Sequence, residues 1–237
     1  MKRDVLHLCL CSIIVSLYSQ TLFAKPSRFT HTLDVRSRYI WRGLDFYDDN
    51  TPAFQYTLKY DMGKSGTSAG LFSSFALDDR SVHKEWEEVD LFVEHSFPKK
   101  KGVSVSAGML LYFFPGMNGT GWGKTTSLEY YFVFAFEELP WKPTLTLTYD
   151  GQMGDGTYGL LSFSRSLGKS NDSFDLETSI GYNDHQWTAG TGWSDWNVSL
   201  AKPIAKDTTM TFGYTRVLLD SINSDNNEAW VGLAYEF

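Results

Sequence analysis

From residue 29 onward, apolar and polar residues alternate along the chain, and no stretch keeps a helical period for three turns. Period two is the signature of strands with one apolar and one polar face. Phe29, Leu33, Val35, Tyr39 and Trp41 share a face against Thr30, Thr32, Asp34, Arg36, Arg38 and Arg42. Further segments follow at Phe54–Tyr60, Ala69–Leu77, Val89–Phe97, Val103–Phe113 and Leu128–Phe136. Others follow at Leu145–Tyr149, Tyr158–Arg165, Phe174–Tyr182, Trp196–Leu200, Met210–Tyr214 and Val231–Phe237. The Tyr158–Arg165 segment has an ambiguous phase. The pattern predicts about twelve strands of about ten residues each, close to the 9–11 residues of a tilted membrane-spanning strand. An even count returns both chain ends to one side, as outer-membrane barrels require.

The expected fold is therefore all-β: a closed antiparallel transmembrane β-barrel with up-and-down topology. The connections support it. Asp61–Gly66, Pro98–Gly102, Glu137–Lys142, Leu167–Ser173 and Lys202–Asp207 read as short turns. Arg42–Thr51, Asp78–Glu85, Pro115–Lys124, Asp150–Gly156, Asn183–Ser194 and Leu219–Glu228 are mostly longer and richer in Gly, Asn and Asp. Short periplasmic turns and longer external loops place both termini in the periplasm. Seven tryptophans (Trp41, Trp86, Trp122, Trp187, Trp193, Trp196 and Trp230) fall near the external ends and Trp141 at the other, where indole suits a membrane–water interface. The last residue, Phe237, resembles the signal read by the barrel assembly machinery. A soluble β-sandwich would alternate equally well. It would not explain the aromatic ends or the terminal phenylalanine.

The first 24 residues read differently. Lys2 and Arg3 precede an apolar centre over Val5–Val15, and Leu17–Ala24 ends on a small residue. This is a secretory signal layout, with cleavage expected after Ala24 and the barrel over residues 25–237. The apolar stretch is shorter than the ~20 residues of a spanning helix, so a membrane anchor fits less well. Cys11 lies at the start of the apolar centre, not at its end, which disfavours a lipoprotein.

Composition narrows the classes. The 237 residues carry 21 Lys+Arg against 28 Asp+Glu, a net charge of −7, which makes a poor nucleic-acid binder. Both cysteines, Cys9 and Cys11, fall in the signal segment, so the exported chain is no disulfide scaffold and carries no zinc ribbon. A cysteine-free exported protein fits a bacterial envelope.

Candidate chemistry is sparse. Asn118–Thr125 resembles a phosphate loop, but glycine is missing at Asn118 and a strand follows the lysine instead of a helix. Of the histidines His31, His83, His95 and His185, none stands in the His-x-Ser arrangement of lipase-like barrels. Asp184-His185 could act as a protease-like dyad, and reads better as exposed loop residues. Asp48-Asp49 and Asp78-Asp79 are explained as turn residues without calcium. No cofactor motif is found, and no enzyme is expected.

Inward-phased charge says more. Arg36, Arg38 and Arg42 are expected on one wall, with Asp90, Glu94, Glu129, Asp175 and Glu177 on other strands. Unpaired charge in a low-dielectric space is costly, so these residues must meet water or one another. Opposed arrays could set the field of a pore constriction. The same residues could equally form a salt-bridged plug. Twelve strands lie between the filled small barrels and the open porins, so size does not decide.

Ser37-Arg38-Tyr39-Ile40-Trp41-Arg42-Gly43, followed by Pro52-Ala53-Phe54-Gln55, resembles the opening of the TorF-type porins, the Gcw_chp family. Glu88-Val89-Asp90-Leu91 is similar to that family's acidic fourth strand. The resemblance implies an outer-membrane barrel and carries the motif onto Arg42, Gly43, Pro52 and Gln55. Gly43 can take the positive φ of a loop. Arg42 is expected to tether the first external loop, with Asp45–Asp49 as the nearest acidic partners. The expected function is a passive, monomeric or weakly oligomeric channel for small hydrophilic solutes, set among outer-membrane lipid and lipopolysaccharide. The alternative is a non-conducting envelope barrel, marked by a lumen closed with paired charges or inward aromatics such as Phe72, Phe92 and Tyr131.

Overall fold

The computed structural model describes residues 28–48, 50–117, 125–168, 173–188, 190–219 and 227–237. The expected signal segment, Trp122, Asp49 and nearly all of the phosphate-loop-like stretch lie outside them. In chain order the strands are β1 (Phe29–Arg36), β2 (Ile40–Trp41), β3 (Leu44–Asp45), β4 (Ala53–Asp61), β5 (Thr67–Ala76), β6 (Glu88–Ser96) and β7 (Val103–Phe113). They continue as β8 (Thr126–Phe136), β9 (Thr144–Asp150), β10 (Gly156–Leu167), β11 (Phe174–Asp184), β12 (Thr191–Ala205), β13 (Thr208–Val217) and β14 (Asn227–Glu236).

Twelve of these close into one antiparallel barrel in which sequence neighbours pair, and β1 pairs β14 to seal the ring. The seam runs from Arg36↔Gly232 to Thr32↔Glu236, and the chain end extends it: Phe237 and His31 exchange backbone hydrogen bonds at 3.0 Å. β2 and β3 stand apart as a two-stranded hairpin.

The molecule is turned inside out relative to a water-soluble domain. Twenty polar or charged residues are buried against nine hydrophobic ones among the described residues. Large apolar side chains instead stand outward and exposed, for example Leu91, Phe132, Trp193 and Phe212, each more than half accessible. A sandwich would bury such rows between two sheets. Here the single sheet closes on its polar face.

The short turns all lie at the terminal end. Lys100 and Val103 pair across Lys101-Gly102, whose φ values of 47° and 76° are those of a type I′ hairpin. Asp61 Oδ1 accepts from the Gly63 N–H at 2.6 Å to bend the β4–β5 turn. The expected turn over Lys202–Asp207 is tighter than its sequence suggests, because β12 runs on to Ala205 and only Lys206-Asp207 turn. β10 resolves its phase: Tyr158 is buried inside with its hydroxyl on Asp195, while Leu161 is exposed outside.

Three inward aromatic rings lie flat on glycines of the neighbouring strand. Phe92 faces Gly70, Tyr131 faces Gly108 and Trp230 faces Gly213, and in each case an added Cβ would collide with the ring. The rings therefore run along the wall instead of projecting across the bore. Trp230, expected at the interface, is one of these interior rings. Replacing Gly108 with Val should destabilise the barrel by about 1–3 kcal/mol through overpacking. The check is the urea midpoint of the lipid-refolded protein, and an unchanged midpoint would mean that Tyr131 has room to move.

Candidate channel constriction

β1 stops earlier than its alternation suggests. At Ser37 the backbone N–H still reaches Val231 O (2.8 Å), but the Ser37 hydroxyl, not a carbonyl, takes the Val231 N–H (3.0 Å). The side chain thus completes the ladder and frees the chain to leave it. Residues 37–48 and 50–52 then fold across the barrel mouth. The β2–β3 hairpin pairs Ile40↔Asp45 and Trp41↔Leu44 around Arg42-Gly43. Both turn residues have positive φ, 52° and 83°, the geometry of a type I′ turn. Glycine accepts this freely; arginine gives up about 1–2 kcal/mol to adopt it.

The loop reaches the wall on several sides. Arg38 forms an ion pair with Glu228 of β14. The Tyr39 hydroxyl donates to Glu88 of β6 at 2.7 Å, and the Tyr47 hydroxyl donates to Ser74 of β5 at 2.9 Å. Leu44 packs on Val217 of β13. Trp41 meets Tyr112 of β7 and Trp187 edge-on, at 6.1 and 6.0 Å between centroids. Tyr39, Phe46 and Tyr47 are buried in the aromatic cluster this makes with Tyr112 and Phe114.

Arg42, at the hairpin tip, makes the central contact. Its guanidinium grips both oxygens of Glu129 on β8, at 2.7 and 2.8 Å, and also donates to Gln186 Oε1. Gln186 is fully buried and donates in turn to Glu129 at 3.0 Å. The Trp41 and Tyr158 rings lie 4.1 and 4.7 Å from the guanidinium carbon, suited to cation–π attraction. Burial pulls the Arg42 pKa down, but the Glu129 charge and its hydrogen bonds outweigh that and leave it above the ordinary arginine value. Burial, then the Glu88 charge beside it, raise the Tyr39 phenol well above its usual range, so it remains an O–H donor.

The eight expected site residues sort into three groups. Arg42 and Glu129 are brought together. Arg36 stays on β1, paired with Asp34 at 2.7 Å and lying over Trp230, while Arg38 has left the wall with the loop. The expected single wall of arginines is therefore corrected: the chain turns at Ser37, and each arginine meets its own carboxylate. The expected tether from Arg42 into Asp45–Asp49 is also corrected, because the hairpin points Arg42 across the bore to Glu129. Asp90 is buried on β6 beside Glu88. Glu94 accepts from the Tyr131 hydroxyl at 3.2 Å. Asp175 accepts from Ser166 at 2.5 Å, and Glu177 is exposed on the same inward face, both toward the terminal end.

The motif residues Gly43, Pro52 and Gln55 all serve the loop. Pro52 O accepts from the Leu77 N–H at 2.8 Å, and Gln55 is buried beside Ser74, the residue that holds Tyr47. Glu88, Gln186, Asp195 and Glu228 were missed as site residues. Glu88 shares the Asp90 phase and was within reach; the others stand in or beside segments that read as loops. Trp41 and Trp187 belong to the plug, not to an interface ring, whereas Trp193 and Trp196 are exposed outward.

The Asp184-His185 pair is exposed at the rim. Asp184 Oδ1 and the Thr191 hydroxyl both contact the same ring nitrogen, His185 Nδ1, at 2.8 and 3.0 Å. A relay needs the hydroxyl on the opposite nitrogen, so this is not one. Among the described residues no three His, Cys, Asp or Glu side chains converge to hold a metal.

Comparison with known proteins adds the following. A family model described as a bacterial protein of unknown function (Gcw_chp) matches residues 22–228. The fold is similar to the KdgM porin, at TM-score 0.58 and 10% identity over 88% of this chain and 99% of that one. A KdgM porin in complex with disordered oligogalacturonate gives TM-score 0.56 and 11% identity, over 88% and 98%. The NanC porin gives 0.50 and 14% identity, over 87% and 98%. At such identities the likeness is one of fold. No curated protein matches.

Removing the tip charge tests what holds the loop. Arg42→Ala leaves Glu129 buried without its cation, a change of about 3–5 kcal/mol against the inserted loop. Hydrogen exchange over residues 38–47 should lose most of its protection, with the barrel strands unaffected. Arg42→Lys should recover only part, since a lysine cannot make the two-pronged contact. Unchanged protection in Arg42→Ala would show that the aromatic cluster holds the loop alone.

Proposed function

The chain belongs to the Gcw_chp family of bacterial proteins, and on that premise we propose that it is a passive outer-membrane channel for small hydrophilic solutes. The observation that carries this reading is a closed ring of strands with an apolar outside and a charged interior, crossed near one mouth by the loop that holds the β2–β3 hairpin. In hydrocarbon every backbone polar group must be paired internally, which a sealed barrel achieves and an open sheet does not. The outward rows of Leu, Phe, Tyr and Trp suit lipid, and the polar lining suits water. The likeness to the KdgM and NanC porins supports a channel over a purely structural barrel.

On this reading the inserted loop is the constriction. Its two ion pairs and aromatic cluster narrow the mouth, and the rings laid on glycine leave passage below. The short turns and both termini face the periplasm, and Phe237 presents the end of the sealing strand to the assembly machinery. A second reading is favoured by one specific feature. The loop contacts opposite walls at once, so the same barrel could be permanently plugged and serve as an envelope scaffold.

Planar-bilayer recording of refolded protein separates the two, with folding confirmed by a mobility shift on heating. Discrete current steps are expected from the native chain. Arg42→Ala should raise single-channel conductance severalfold as the loop loosens. Silence from both folded proteins would end the channel reading in favour of the scaffold.

A further inference from the structure

The charges of the interior do not balance. The three arginines there are each taken by one carboxylate: Arg36 by Asp34, Arg38 by Glu228 and Arg42 by Glu129. Glu88, Asp90, Glu94, Asp150 and Asp195 remain, with Asp175 and Glu177 toward the terminal end, and no ion pair to a base is seen for any of them among the described residues. Glu94 has a tyrosine hydroxyl, Asp150 a serine hydroxyl and a backbone N–H, and Asp195 hydroxyls and an amide. Lys59, the remaining inward-phased base among the described residues, is exposed toward the terminal end on β4.

Glu88 and Asp90 are the least satisfied of these. They are 1% and 2% exposed and share one face of β6, two residues apart, just beneath the loop. Glu88 Oε1 accepts from Tyr39, but Glu88 Oε2 and Asp90 Oδ1 have no hydrogen-bond partner. A buried carboxylate oxygen without a donor is strongly unfavourable unless a cation or proton meets it. The Arg42 charge is already committed to Glu129.

We propose that Glu88 and Asp90 form a cation seat beneath the loop, and that the bore consequently passes cations in preference to anions. The preference rests on the channel reading; the seat does not. Hard, oxygen-only ligands suit an alkali or alkaline-earth ion. Two carboxylates without a third Asp, Glu, His or Cys converging make a labile seat. That is what conduction needs: attraction strong enough to admit an ion and weak enough to release it. The Tyr39 hydroxyl occupies one Glu88 oxygen and leaves the other for the ion.

Two measurements test this, each with folding confirmed by heat-modifiable mobility. Terbium(III) added to the refolded barrel should give luminescence sensitised by the aromatic cluster around Tyr39, Tyr112 and Trp41. Calcium should displace it, and Glu88→Gln with Asp90→Asn should abolish it. Reversal potentials in a potassium chloride gradient should show a potassium preference on the order of tenfold, falling to about twofold or less in the double variant. Arg36→Ala should not reduce that preference.

Absent luminescence, anion preference, or a cation preference untouched by the double variant would overturn the proposal. A silent membrane with terbium bound at Glu88 and Asp90 would overturn the channel reading alone and support the seat. If the double variant does not fold, Glu88→Gln alone, which preserves shape and hydrogen-bonding capacity, should weaken terbium binding at least severalfold. Unaltered binding in that single variant would count against the site.

Discussion

Closure of β1 onto β14 is the constraint from which the rest follows. A sheet with one oily and one polar face has two raw edges and no consistent solvent. Sealing the seam removes both edges and assigns each face its own medium. The Phe237–His31 backbone pair extends the seal to the last residue. The barrel then needs no apolar core. Its interior is lined mainly by polar groups, with an aromatic cluster where the loop packs, and its stability depends on how completely those polar groups find one another.

That dependence explains the inserted loop. Twelve strands enclose more space than wall side chains alone can fill. Residues 38–47 bring large, hydrogen-bonding side chains into it from the chain's own first connection. Tyr39, Tyr47, Arg38 and Arg42 each end on a polar wall group, so the plug is hydrogen-bonded to the wall as well as packed on it. The positive φ at Arg42 is the local strain of this arrangement. A two-pronged contact with Glu129 and flanking aromatic rings offset it. An asparagine would sit more easily in the turn and would not reach β8.

The strand pattern, and the phases of strands other than β10, were legible because they are local. One face of each strand meets one medium, and period two records that directly. Phe54–Tyr60 or Val103–Phe113 needs no knowledge of neighbours. The end of β1 was not legible, because alternation persists through Tyr39, Trp41 and Arg42 after the chain has turned. The hairpin also has two faces, so it carries the same signature as the strand it leaves. Ser37, whose hydroxyl ends the ladder, resembles any polar strand residue. Arg42-Gly43 is a weak turn signal, since asparagine or aspartate usually precedes the glycine. The partners of Arg38 and Arg42 lie 190 and 87 residues away, and only the closed ring brings them near. Trp230 and Trp187 misled for a related reason. Tryptophan near a strand end suits an interface, but a glycine opposite, as at Gly213, makes an interior seat for the ring.

The distribution of charge connects these features. An interior built only to be filled would do best with charges matched one to one, or with none, since unmatched buried charge is the least favourable filling. The arginines follow that rule and the carboxylates do not. Glu88 and Asp90 lie on the wall where the loop descends, close to the opposed pair of Arg42 and Glu129. Tyrosines, not further arginines or lysines, line their surroundings: Tyr39 and Tyr112 are both buried there. A phenol can donate one hydrogen bond without cancelling a charge. It therefore positions a carboxylate while leaving its field intact. The composition around the loop thus suits the proposed cation seat better than simple filling: carboxylates met by neutral phenol donors instead of bases.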